Sequence, residues 1–225
     1  MDRKSFLALL RRHRAIAVIR STEVKQGLHL ARAAEAGGIR LIEITWNSTD
    51  ADRLVGELIQ QLPHCCIGVG TVLAIADLEH AAEAGAQFCF CPHTNQALIQ
   101  AAQALPIPIV PGALTPSEIV AAWQAGASAV KVFPISAVGG ASYIRSLQGP
   151  LAHIPLVPTG GVSVENAAAM VEAGAIAVGI STGLFPQPAV SDRSWSAVTA
   201  LSNRLTASLG AVAVKPYSDA IAAPF

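Results

Sequence analysis

The sequence predicts an α/β fold, a single (β/α)8 barrel of the TIM type with an extra N-terminal helix, over residues 1–210. Three observations predict it. A glycine-centred motif recurs four times at intervals of 41 to 48 residues. A strand-like run lies between successive repeats, so that eight strands alternate with eight helices. No G-x-G-x-x-G follows the first strand, as the common doubly wound nucleotide-binding sheet would have it. Composition agrees: 52% of the 225 residues are apolar and only 13% charged, the balance of a parallel sheet covered by helices.

Taken in order, "MDRKSFLALLRRHR" is amphipathic and basic. It lacks a long apolar stretch and a cleavage site, so it reads as a first helix rather than a targeting peptide. The repeats are "EAGGIRLIEI" from Glu35, "EAGAQFCFCP" from Glu83, "QAGASAVKVF" from Gln124 and "EAGAIAVGIS" from Glu172. Each reads as a helix end, a glycine cap and a short apolar strand. Counted from their first glycines, Gly37, Gly85, Gly126 and Gly174, the spacing is twice a compact βα unit. The intervening strands are "AIAVIR" (15–20), "CCIGVG" (65–70), "PIPIVPG" (106–112) and "IPLVPTGG" (154–161), apolar runs ending in turn residues. Ser21, Thr115 and Ser163 are candidate N-caps, and Glu118, three after Thr115, predicts a capping box. Residues 211–225 fall outside the pattern, as a tail that is either disordered or docked on a neighbour.

Several function classes are set aside. The formal net charge is zero, which offers nothing to nucleic acid or an anionic membrane. No apolar run approaches the roughly 18 residues of a membrane span. Cys65, Cys66, Cys89 and Cys91 show no C-x-x-C spacing and read as buried, reduced thiols. The histidines form neither H-x-H nor H-E-x-x-H, so no metal site is expected. A cytoplasmic protein is the expectation.

In such barrels the reactive groups sit at the C-terminal ends of the strands. There the sequence offers Arg20, then Glu43, Thr45, Asn47 and Ser48, then Thr71, then Cys91, Pro92 and His93. Beyond them come Pro111 and Gly112, Lys131, Thr159 with Gly160 and Gly161, and Gly179 with Ser181. Of 15 carboxylates, only Glu43 is embedded in an apolar strand, and of four lysines only Lys131. Burial disfavours the charged form of a lysine, and a neutral amine adds to a ketone to form a Schiff base. A carboxylate nearby can move the protons. The bland alternative is a buried Lys–Glu ion pair, a weak source of stability because desolvation is costly. Glu43 lies six residues after its repeat glycine and Lys131 five, so a bulge or stagger is needed for both to face inward. "PTGGV" and the final "GIS" supply backbone N–H groups, the first followed by a helix N-terminus. This is the arrangement of a barrel phosphate site, with tight turns alone as the alternative.

"LIEIT", "GVGTV", "PGALTPSEI", "VKVFP" and "PTGGV" occur in this order over residues 5–208. In this the chain resembles the KDPG/KHG aldolases, class I aldolases of 2-keto-3-deoxy-6-phosphogluconate and 4-hydroxy-2-oxoglutarate. The resemblance implies that Lys131 forms the Schiff base with pyruvate and that Glu43 shuttles protons. It places Thr71 at the carboxylate end of the substrate, and Gly160, Gly161 and Ser181 on the phosphate, with Gly179 beside them. Pro92 and Phe133 are counted with the substrate contacts. It also implies a homotrimer that needs no cofactor.

There are departures. Where many members carry an arginine for the pyruvate carboxylate, this chain has Asn47; Cys91-Pro92-His93 replaces "SPG", and Ser136 replaces a glutamate. Asn47 brings an amide but no charge, so Arg20 on the neighbouring strand is expected to take the carboxylate. The "NS" ending also resembles the branch acting on the galactonate epimer. A sugar-phosphate isomerase and a non-catalytic sugar-phosphate binding barrel are the remaining alternatives.

Overall fold

The computed structural model describes residues 1–213, so the expected tail lies outside the described residues from 214 onward. Its strands are β1 (Ala15–Ile19), β2 (Leu41–Thr45), β3 (Cys66–Gly70), β4 (Cys89–Phe90), β5 (Ile109–Val110), β6 (Gly112–Ala113), β7 (Val130–Val132), β8 (Leu156–Pro158) and β9 (Val178–Ile180). Every pairing is parallel. One ladder runs β5-β4-β3-β2-β1-β9 and a second β6-β7-β8. β5 and β6 are one run interrupted at Pro111, which has no N–H to give to a ladder. The run expected over 106–112 therefore enters the sheet only from Ile109. The strands curl around a common interior, in an α/β fold of the TIM-barrel kind.

Helices α1 (Arg3–His13), α2 (Val24–Ala36), α3 (Ala51–Gln61), α4 (Ile75–Glu83), α5 (Gln96–Gln103), α6 (Pro116–Gln124), α7 (Ala141–Leu151), α8 (Ala167–Glu172), α9 (Gln187–Ser191) and α10 (Trp195–Ala211) surround the strands. None is long and apolar enough to cross a membrane among the described residues. Helix α1 is capped by the Asp2 carboxylate, which accepts the Ser5 N–H at 2.7 Å. It buries Phe6, Leu7 and Leu10. Phe6 stacks on Phe88 at 5.4 Å, and Phe88 meets Phe90 edge-on at 5.7 Å. This aromatic column joins an inner core lined by Val18, Leu41, Val110 and Val157, while a larger apolar layer lies between strands and helices. Gly68 makes room for the column, since a Cβ there would lie 2.4 Å from the Phe88 ring.

The capping box forms as expected: Thr115 Oγ1 accepts the Glu118 N–H at 3.3 Å, and the Glu118 carboxylate accepts the Thr115 N–H at 2.8 Å. Ser21 and Ser163 do not cap helices. Helix α2 starts behind Glu23, and Ser21 is buried with its N–H on Ser48 Oγ. The Ser163 N–H goes to Asn166 Oδ1 at 2.8 Å, and α8 begins only at Ala167. The four cysteines are buried and unbridged.

The helix-ending glycines correct one count. Gly38, Gly85, Gly126 and Gly174 are left-handed, with φ of +93°, +92°, +102° and +116°, a conformation glycine enters without steric penalty. Gly37, the first glycine of its repeat, has φ −85°. Measured from the left-handed glycine, Glu43 (43 − 38) and Lys131 (131 − 126) both lie five residues on. No bulge or stagger is needed. Phe90 and Gly179 share the same offset.

Candidate active site

Glu43, Phe90, Lys131 and Gly179 thus form one layer contributed by every second strand, the way side chains fill a barrel interior. Gly179 donates no bulk to it; a Cβ there would lie 2.5 Å from Thr159 Oγ1. The space left over opens into a cavity of about 680 Å³ at the C-terminal ends of the strands, walled in part by Glu43 and Lys131. Glu43 is 1% exposed and Lys131 6%. Lys131 Nζ lies over the Phe133 ring at 4.9 Å and the Phe90 ring at 6.0 Å. Among the described residues, no ion pair joins Glu43 to Lys131 or to Arg20. The two buried groups face one cavity without closing on each other, and the bland ion-pair alternative is not what the structure shows.

Glu43 Oε1 is buried without a hydrogen-bond partner. Burial pushes its carboxyl above the usual carboxylate range, while the positive charges of Lys131 and Arg20 pull it partly back. A carboxyl so balanced can take and return a proton. Gly70 leaves it room: a Cβ at that position would lie 1.7 Å from Oε1 and 2.4 Å from Cδ.

Arg20 follows β1 at the cavity rim, exposed, and makes no hydrogen bond or ion pair among the described residues. Thr71 follows β3 with φ +61°, a strained conformation for a β-branched residue and one that clusters at functional sites. Thr71, Pro92 and Phe133 wall the cavity. Asn47 does not: it is exposed and is not part of the wall. The chain turns at Thr45, whose carbonyl accepts the Ser48 N–H at 2.8 Å, and Trp46 packs its ring edge-on against His80 at 5.4 Å. The turn leaves Asn47 in solvent.

Gly160, Gly161, Gly179 and Ser181 line the same cavity at the ends of β8 and β9. Gly160 and Gly161 are left-handed, φ +84° and +83°. The backbone N–H groups of Gly161, Val162, Ser181 and Thr182 donate no hydrogen bond among the described residues. Free N–H groups on consecutive residues form a concavity suited to an anion. The helix expected directly behind the glycines begins later, at Ala167, so those donors stand without it. Thr22, Gln26, Thr45, Thr159, Thr182 and Gln187 also line the cavity. Of these, Thr45 and Thr159 were already among the polar residues expected at strand ends, whereas Gln26 and Gln187 arrive on helices α2 and α9.

The family model of KDPG and KHG aldolases matches residues 7–201. The chain belongs to the KDPG/KHG aldolase family. Among its relatives in that family, the 2-dehydro-3-deoxy-phosphogluconate aldolase of Treponema pallidum is 32% identical over 195 residues, covering 87% of this chain and 93% of that protein. The crystal structure of a KDPG aldolase from Legionella pneumophila, with pyruvate captured as a covalent carbinolamine, superposes with a TM-score of 0.82 at 30% identity, covering 88% and 97% of the two chains. The native KDPGal structure superposes at 0.79 with 27% identity, over 86% and 93%.

Proposed function

We propose that this aldolase-family member is a metal-independent class I enzyme. It cleaves 2-keto-3-deoxy-6-phosphogluconate to pyruvate and glyceraldehyde 3-phosphate, with Lys131 as the Schiff-base residue. The observation that carries this reading is the pair of buried, unpaired groups, Lys131 and Glu43, facing one cavity whose wall also includes Gly161, Val162, Ser181 and Thr182 with their free backbone N–H groups. The Lys131 amine adds to the C2 ketone, and Glu43, through water, gives and takes the protons that turn the carbinolamine into an imine. Glu43 or a bound water then takes the C4 hydroxyl proton as the C3–C4 bond breaks. The bonding pair moves into the protonated imine to give an enamine. Reprotonation at C3 and hydrolysis release pyruvate, and the aldehyde phosphate leaves from the Gly161–Ser181 end. Aldehydes without phosphate fit the same cycle, so 4-hydroxy-2-oxoglutarate is a second substrate of this reading. The likeness to the KDPGal structure supports the galactonate epimer as the alternative substrate. Assaying pyruvate release from both epimers with and without a chelator tests the reading: release lost only with the chelator would make the enzyme metal-dependent, and release from neither epimer under both conditions would leave a non-catalytic binding barrel.

The finer features of the fold and setting belong to the same proposal. A parallel bridge between Thr159 and Gly179, and the Ile176 N–H on the Leu156 carbonyl at 3.0 Å, support a fully closed eight-stranded barrel with α1 as its additional N-terminal helix. A cytoplasmic homotrimer is the assembly we propose, and sedimentation equilibrium reads it directly.

Two substitutions probe the site from its edges. Arg20, charged and unpartnered at the rim, is proposed to hold the keto acid's carboxylate through its planar fork. Arg20→Ala should weaken pyruvate binding by about 1.5–3 kcal/mol, the worth of a charge-assisted hydrogen bond, and Arg20→Lys should restore only part of it. An unchanged pyruvate concentration dependence of borohydride trapping would remove Arg20 from the site. Gly70→Ala should push the Glu43 carboxylate out of place and cut kcat by about 10²-fold, the typical cost of a 1 Å misplacement. Circular dichroism should show the fold retained; full activity would mean that Glu43 works from another rotamer.

A further inference from the structure

With Asn47 turned into solvent, β2 offers the cavity only one polar group beyond Glu43, namely Thr45. We propose that Thr45 contacts the substrate, donating its hydroxyl proton to the carboxylate of the keto acid, and that Ser48 holds it in that orientation. This rests on the Schiff-base reading of Lys131.

Thr45 is 2% exposed and lines the cavity. It lies two residues beyond Glu43 on the same strand face, about 7 Å nearer the cavity mouth. In the ladder it stands opposite Gly70, the residue before Thr71. The two threonines therefore share one end of the cavity, beside Glu43, while the free N–H donors of the phosphate end follow β8 and β9 on the other side of β1. A carboxylate brought into this end needs donors to offset its desolvation.

The direction of the Thr45 hydroxyl follows from a hydrogen count. Ser48 is 8% exposed, and its Oγ accepts the Ser21 N–H at 3.2 Å and lies 3.1 Å from Thr45 Oγ1. Ser21 Oγ, the other hydroxyl of this cluster, has no hydrogen-bond partner. Two protons remain to be placed, one on Thr45 and one on Ser48. If Thr45 donated to Ser48, the Ser48 proton would have no acceptor among the described residues, and a buried unsatisfied donor is costly. If Ser48 donates to Thr45, the proton left over belongs to Thr45, the one hydroxyl of the pair that borders the cavity. There a ligand oxygen can accept it. The β-branch of Thr45 restricts χ1 and keeps the group aimed.

The test is borohydride trapping at Lys131 as a function of ligand concentration, with pyruvate and with acetone, a ketone lacking the carboxylate. Thr45→Val keeps the shape and removes the donor. It should raise the half-saturating pyruvate concentration about tenfold or more, the loss expected of a hydrogen bond to a charged group, and leave acetone trapping unchanged. Ser48→Ala should move pyruvate in the same direction by a smaller factor, because the hydroxyl survives without its orienting partner. An unchanged pyruvate dependence in Thr45→Val overturns the proposal. So does an equal loss with acetone, which would make Thr45 a shaping residue of the wall. Absence of any Lys131 adduct in the wild type would instead overturn the Schiff-base reading. The pyruvate-induced rise in melting temperature then reads the same contact without a covalent step: its loss in Thr45→Val supports the assignment, and its persistence overturns it.

Discussion

Incubation with pyruvate and borohydride should inactivate the protein and leave a reduced three-carbon adduct on Lys131, and Lys131→Met should abolish both trapping and cleavage. The side chain sits 6% exposed between the Phe90 and Phe133 rings, with no carboxylate paired to it. Its amine is therefore not consumed by a structural ion pair. Methionine keeps the unbranched apolar stem and suits irregular core space, so the far-ultraviolet spectrum and the melting transition should remain those of a folded chain. Peptide mapping decides the assignment: an adduct at Lys4, Lys25 or Lys215 with Lys131 unmodified would overturn it.

Glu43→Gln should lower kcat by about 10²–10⁴-fold, the range for a positioned acid–base group, with KM changed far less. The same substitution should stabilise the fold at neutral pH. Burial raises the folded-state pKa of Glu43 above its ordinary value of 4.5. The stability this residue contributes is therefore complete below the unfolded-state pKa and is lost as pH rises through the folded-state pKa. Glutamine carries no such titration. The melting-temperature difference between variant and wild type should open up as pH rises from about 4 to 8, in favour of the variant. A constant difference over that range would mean that Glu43 is solvated or paired in solution. Near-normal turnover in Glu43→Gln would remove it from the proton path. Lost activity with gained stability is the trade expected where a strained group serves function.

Both residues were legible because charge inside an apolar strand is costly and therefore conspicuous in a sequence. Lys131 in "SAVKVF" and Glu43 in "RLIEIT" needed no structure to be singled out. The six-against-five offset between them was misread because "AGG" holds two candidate caps. Only backbone dihedrals show that Gly38, not Gly37, takes the left-handed position. Asn47 was placed at the substrate by its position in a motif. Its real place depends on where β2 ends and how the following turn closes, and the bonds that decide this run from Trp46 to Gly70 at the end of β3 and from Thr49 to Ser21 beyond β1.

What the sequence by itself determined is the periodic part: alternating strands and helices, the glycine stops, the Thr115–Glu118 cap, the buried thiols and the two ionisable intruders. These depend on interactions within a few residues along the chain, or on the cost of burying one side chain. What only the tertiary structure decided is which groups share a cavity and how each is held. Gly70 yields space to Glu43 from a neighbouring strand, Phe6 reaches the interior through Phe88, and the Ser21 N–H is donated to Ser48 Oγ. Those contacts join segments separated by 27 residues in the Ser21–Ser48 bond and more in the aromatic column. Close packing between strands sets them, and no local pattern in the chain encodes it.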